Sequence, residues 1–279
     1  MNMPGCAASI LKSLPAAEAM AHDAEAISLL GVDYLRFKSS DGGDLYLTRF
    51  GVPLREHLDP ENWYAPDWFA ANRRRLGGTS TIYRVRTKPV RGASLNLVVR
   101  FSRVGEEVPL DTLTVCKYPN AEFNSPFEEF ALVMELRALR PRIFTKKPLA
   151  IFVPAERLEL WQTGRLESKI AAELARHPET KLDILRRYIL LYGWIEQMNA
   201  VEAADALKFT GGSRESFLAV STRCATHDLE EHSFRMLDIK PEHIVVRLLS
   251  DGSLLRRRSG QLAYALVDYE LLERLGESD

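Results

Sequence analysis

The period of the apolar residues changes along this chain, and that change limits its fold more than any single residue does. Tyr34–Phe50 alternates apolar and polar positions on both sides of Asp41-Gly42-Gly43-Asp44, which predicts a β-hairpin. Thr81–Thr87 and Leu95–Phe101 read as two further strands. Phe127–Leu139 instead sets Phe127, Phe130, Ala131, Met134 and Ala138 at helical spacing. Ser125 suits its N-cap, Pro126 its first position and Glu128 a capping box. Arg142–Val153 returns to strand-like residues around Lys146-Lys147-Pro148. From about residue 155 the pattern reads as helical: Glu167–Arg176, a long helix over Lys181–Leu207, a break at Gly211-Gly212, then a helix within Glu215–His232. Two short strands, His243–Leu249 and Gln261–Val267, flank a turn near Asp251-Gly252. The Ala-rich start fits one amphipathic helix over Ala16–Leu30. Strands, then helices, then a hairpin make an α+β chain with two lobes. The expected boundaries are an extension over residues 1–73, a β-rich lobe over 74–160 and a helical lobe over 161–279. Trp63, Tyr64, Trp68 and Phe69 are expected to pack the extension onto the next domain.

Composition narrows the partners. The 37 Lys and Arg against 38 Asp and Glu leave a net charge of -1, which gives no sign of a nucleic-acid binder. Cys6, Cys116 and Cys224 form neither a disulfide framework nor a zinc pattern, and a reducing cytoplasm fits them best. The start lacks the apolar core of a signal peptide. The densest apolar stretches, Leu149–Val153 and Tyr188–Ile195, are far shorter than the roughly 20 residues that span a bilayer. No transmembrane segment is expected, and peripheral membrane contact stays open.

Two aspartates sit beside strand-like residues near the C-terminus. One lies in Leu237-Asp238-Ile239-Lys240-Pro241-Glu242-His243, followed by Ile-Val-Val-Arg. The other lies in Leu266-Val267-Asp268-Tyr269-Glu270. Taken alone, each is a turn or strand end with a capping Asp. As a pair one hairpin apart, they resemble the catalytic loop and the metal-binding loop of the protein-kinase-like fold. The resemblance covers roughly residues 74–275 and implies a two-lobed fold with a β-rich N-lobe and a reduced helical C-lobe. Under it, Asp238 orients or accepts the acceptor's proton, Lys240 contacts the transferred phosphate and Asp268 ligates the metal. The carboxylates of Asp238 and Asp268 should then converge on one cleft under Gly77–Thr81. His243 stands where the family carries an Asn ligand of the second metal. Imidazole suits softer ions than magnesium, so His243 could bind manganese, hydrogen-bond within the loop or mark lost activity. Tyr269-Glu270 replaces the family's Phe-Gly.

The N-terminal matches are looser. Leu76-Gly77-Gly78-Thr79-Ser80-Thr81 resembles a glycine-rich phosphate loop and also reads as a plain turn. Arg100, in Leu97-Val98-Val99-Arg100, takes the place of the family's strand Lys, or is an exposed strand Arg. Lys117 is a compensating cation. Glu128 or Glu129 would pair with Arg100, and Glu129 is preferred because Glu128 suits the cap. Arg73–Arg75 and Arg256–Arg258 read as solvated faces, the second being open to an anionic substrate or lipid headgroup. His227 and His232, five apart, do not share a helix face and suggest no metal site.

The resemblance implies an ATP-dependent phosphotransferase that uses magnesium, or manganese, on a non-protein acceptor such as a sugar or lipid-linked sugar. The alternative is a catalytically silent pseudokinase that binds nucleotide or acts as a scaffold. The segment after Glu270 is too short to hold the activation segment and docking helices of an ordinary protein kinase.

Overall fold

The computed structural model describes residues 24–78, 80–109, 117–139 and 143–276. It is a mixed α+β structure with a large antiparallel sheet. The chain divides into two compact units. The first takes the described residues of Met1–Glu107, Ser125–Ala131 and Lys147–Trp194; the second takes those of Val108–Asn124, Leu132–Lys146 and Ile195–Asp279. Residues 34–50 therefore belong to the same unit as residues 74–101.

The first unit is built on eight strands: β1 (Ala24–Leu29), β2 (Val32–Lys38), β3 (Asp44–Leu47), β4 (Arg73–Arg75), β5 (Ile82–Arg86), β6 (Asn96–Phe101), β8 (Pro148–Val153) and β9 (Ile189–Gly193). Their order across the sheet is β1-β2-β3-β8-β9-β6-β5-β4, with every neighbour antiparallel. The hairpin expected over Tyr34–Phe50 is β2–β3, with Leu35 opposite Leu47 and Lys38 opposite Asp44.

One face of this sheet is covered by the segment between β3 and β4. That segment holds α1 (Arg55–Leu58) and α2 (Pro66–Asn72), with Leu58, Trp63 and Phe69 buried against Leu47, Val85, Leu97, Phe152 and Leu191. Trp63 donates its indole N–H to Leu58 O at 2.9 Å, and Trp68 donates to Arg86 O at 2.8 Å. The aromatic cluster thus packs onto the sheet, as expected. Gly51 approaches the Leu149 carbonyl so closely that a Cβ there would collide with it. On the other face Phe127, in the first turn of α3 (Pro126–Ala138), meets Tyr34, Tyr46 and Tyr188 edge-on. Glu128 N donates to Ser125 Oγ at 3.2 Å, so Ser125 is the cap that its position predicts. Arg73–Arg75 is the outer strand, where charged side chains discourage pairing with another chain. Arg73 lies over the rings of Phe69 and Tyr83, so this basic run is partly aromatic-stacked.

Two expected helices are strands. Ile189–Gly193, read as part of a helix over Lys181–Leu207, is β9 at the centre of the sheet; only Ala200–Ala206 (α6) of that range is helical. Ile189-Leu190-Leu191-Tyr192 are all buried, because a central strand covered on both faces has no polar side to alternate with. Ala24–Leu29, the described end of the helix expected over Ala16–Leu30, is β1; residues 16–23 lie outside the described residues. Pairing along the whole of β2, from Ala24 opposite Phe37 to Leu29 opposite Val32, outweighs alanine's helical preference there.

The first unit also contains α4 (Leu160–Thr163) and α5 (Glu167–Arg176), the latter as predicted. The second unit has a four-stranded sheet in the order β10 (Met198–Asn199), β12 (Ile244–Val246), β13 (Tyr264–Leu266) and β7 (Phe144–Thr145). It also has a two-stranded ladder of β11 (Phe234–Met236) with β14 (Leu272–Arg274). Helix α6 is capped by Asn199, whose side chain accepts from Glu202 N while Glu202 accepts from Asn199 N, each at 2.9 Å. Helix α7 (Gly211–Glu230) begins at the glycine pair that the sequence suggested as a break. Among the described residues no helix is long and apolar enough to cross a membrane.

Candidate functional site

Two ladders in the second unit bring the C-terminal aspartates together. In the first, Met236 of β11 pairs with Leu272 of β14, and Leu237 N donates to Leu271 O at 3.0 Å. In the second, Ile244 of β12 pairs with Leu266 of β13, and Val267 N donates to His243 O at 3.1 Å. The chain between β11 and β12 makes a 3-10 turn at Pro241–His243, with His243 N bonded to Lys240 O at 2.9 Å. Asp238 is the second residue after β11, and Asp268 the second after β13.

The result is a cluster of four side chains. His243 Nε2 lies 3.6 Å from Asp268 Oδ2. Lys240 Nζ lies 3.8 Å from Asp238 Oδ2, with the lysine more than half exposed. Burial, and then the charge of Asp268, push the Asp238 carboxyl above the ordinary carboxylate range, against the opposing pull of His243 and Lys240. The charge of Asp268 thus acts on the Asp238 carboxyl within the second unit. His243 Nδ1 is buried and has no hydrogen-bond partner among the described residues. Asp268 Oδ1 accepts from Glu270 N at 3.4 Å.

The floor beneath Asp268 is rigid. Tyr269 is fully buried, accepts from Lys146 N at 2.8 Å and donates to Leu266 O. Lys146 is itself buried, with its Nζ 5.6 Å from the centre of the Tyr269 ring. The aromatic after the motif's aspartate thus anchors the loop. The sequence reading did not single out Lys146; the doublet Lys146-Lys147 was its sole sign.

In the first unit, Arg100 of β6 pairs with Glu129 of α3 as predicted, with Arg100 4% and Glu129 1% exposed. Tyr192 donates its hydroxyl to the same carboxylate. Arg100 is therefore not the exposed strand residue of the alternative reading. Gly77 and Gly78 form the turn between β4 and β5, closed by Leu76 N on Ile82 O at 3.0 Å. Gly78 has φ +119, which only glycine adopts without strain, whereas a Cβ on Gly77 would meet open space. Ser80 is buried, and its carbonyl accepts from Arg75 at 3.1 Å. Thr79 lies outside the described residues. Lys117 is described, in the second unit, 5.3 Å from the Tyr118 ring.

The three-arginine loop is only partly available to an anion. Arg257 forms an ion pair with Asp228 at 2.9 Å and lies over the Tyr264 ring, and Arg256 donates to Gly260 O at 2.9 Å. His227 pairs with Glu231 on α7 at 3.1 Å, and His232 faces the Asp228 carbonyl at 2.7 Å, so these histidines do not form one cluster.

No protein-family model matches the sequence, and no curated protein sequence matches it significantly.

Proposed function

We propose that the chain is a metal-dependent phosphotransferase of the protein-kinase-like type, acting with ATP on a small or lipid-linked acceptor such as a sugar. One observation carries this reading: two ladders gather Asp238, His243 and Asp268 in one unit, and the charge of Asp268 on Asp238 favours a cation there. The donor chemistry fits a divalent ion, with two carboxylates for hard character and the imidazole Nε2 beside Asp268, which favours manganese over magnesium. Such an ion, when bound, neutralises phosphate charge. Asp268 would hold it, and His243 would replace the family's amide ligand. Asp238, raised toward its neutral form when no cation is bound, would orient the acceptor hydroxyl and take up its proton. Lys240, half free in solvent, has the reach to meet a phosphate oxygen. In the first unit, Gly77-Gly78 offers backbone amides on a turn between two strands, and Glu129 fixes Arg100.

The burial of Arg100 favours a second reading. A guanidinium 4% exposed and committed to Glu129 is poorly placed to meet a phosphate, as in a pseudokinase that binds nucleotide without turnover. Calorimetric titration of ATP with magnesium and then manganese, on wild type and Asp268→Ala, tests both. Metal-dependent binding lost in Asp268→Ala, with ADP released on an acceptor, supports the transferase. Binding without ADP release supports the silent form. Absence of binding with either metal overturns both.

A further inference from the structure

A second group of metal-ligating side chains lies wholly in the first unit. Glu128 stands in the first turn of α3; Glu173 is on α5, and His177 follows that helix directly. Glu173 and His177 are four apart, so they share one side of the turn, and His177 N still donates to Glu173 O at 2.9 Å. One donor atom from each of the three residues lies within 4.8 Å of the other two.

The protein's own groups satisfy this cluster only in part. Arg176 donates to Glu173 Oε2 and lies 3.9 Å from Glu128 Oε1. His177 Nε2 lies 3.5 Å from Glu128 Oε1. Two oxygens remain: Glu173 Oε1 and Glu128 Oε2 are buried and have no hydrogen-bond partner among the described residues. Glu173 is 2% exposed, so its unsatisfied oxygen cannot turn to solvent. Burial, and then Glu128, push its carboxyl upward, as expected where negative charge exceeds its compensation. A helix-packing clasp would need only Arg176 between the two glutamates. It would not need an imidazole beside them or two orphaned oxygens.

We propose that Glu128, Glu173 and His177 form a binding site for a first-row transition-metal dication of the zinc class, joining α3 to α5. Two carboxylates and one imidazole suit zinc, whereas magnesium and calcium take oxygen ligands. Zinc–ligand bonds of about 2 Å place tetrahedral donors roughly 3.3 Å apart, so the three side chains must draw together modestly. His177, a quarter exposed, and Arg176, half exposed, have the freedom to rotate inward and outward respectively. This site is independent of Asp268.

The test uses the full chain stripped of metal. Zinc is titrated calorimetrically, and cobalt is added to read visible ligand-field bands, on wild type, His177→Ala, Glu173→Gln and Asp268→Ala. The expected result is one zinc equivalent and a cobalt spectrum of low-coordinate form. His177→Ala and Glu173→Gln should lose affinity by at least the roughly 10- to 100-fold that second-shell changes cost, and Asp268→Ala should retain it. Metal-free melting shows whether each variant folds, and His177→Ala, at a partly exposed position, keeps the test open if Glu173→Gln does not fold. Absence of a cobalt band, or zinc binding equal in wild type and His177→Ala, overturns the proposal. So does binding lost in Asp268→Ala alone, which would place the zinc at the other cluster.

Discussion

The imidazole Nε2 of His243 lies 3.6 Å from the Asp268 carboxylate. It is a softer donor than an oxygen, and the other ring nitrogen is buried without a hydrogen-bond partner among the described residues. His243→Asn should move the metal preference of ATP binding from manganese toward magnesium. Titrations with each ion check this. An unchanged manganese-to-magnesium ratio would mean that His243 is not a ligand.

Asp238 should destabilise the protein at neutral pH when no metal is bound. Its folded carboxyl is raised above the ordinary 3.8, so the folded state binds a proton that the unfolded state releases more readily. That contribution is fully present below the unfolded value and is lost as pH rises through the folded one. Asp238→Asn should therefore melt higher than wild type at pH 7, with the gap closing as pH falls through the raised folded value and gone below 3.8. Melting curves across that range without metal provide the measurement; a gap that widens toward acid would contradict it.

Arg100 and Glu129 should behave as one unit. Arg100→Met leaves a carboxylate that is 1% exposed, beside the Tyr192 hydroxyl and without its guanidinium. Breaking a buried pair in this way costs about 3–5 kcal/mol. Adding Glu129→Gln removes the orphaned charge and keeps an acceptor for Tyr192, so the double variant should be more stable than Arg100→Met alone. Urea denaturation of the two single variants and the double variant reads this coupling, which additive effects would refute.

Gly51→Ala should destabilise the first unit through contact alone. Its φ of -84 is ordinary for any residue, but the added methyl would run into the Leu149 carbonyl of β8. A cost of about 1–3 kcal/mol follows from forcing apart packed backbone. Denaturation should show it as a lower midpoint with an unchanged slope.

The sequence was most legible where a local signal coincided with its tertiary use. The β2–β3 hairpin, the cap at Ser125 and the strand carrying Arg100 each follow from residues close in the chain. The short strands expected at His243–Leu249 and Gln261–Val267 are present in shortened form as β12 and β13. Strand β9 was not legible, because burial on both faces erased the alternation that marks a strand. Strand β1 was not, because its stability comes from β2 rather than from its own alanines. Glu128 looked like a capping residue, and nothing in its local spacing pointed to Glu173 and His177 on a later helix.

The strand order also dictates when this sheet can be completed during synthesis. The meanders β1–β3 and β4–β6 are made first, yet they do not pair with each other; the later antiparallel pair of β8 and β9 fills the space between them. The free edges of β3 and β6 must wait until residues 148–193 have emerged. At ~5–20 residues per second, that is an interval of seconds in which two nascent sheets present unpaired backbone. A chaperone that shields strand edges would do most for this protein before β9 leaves the ribosome.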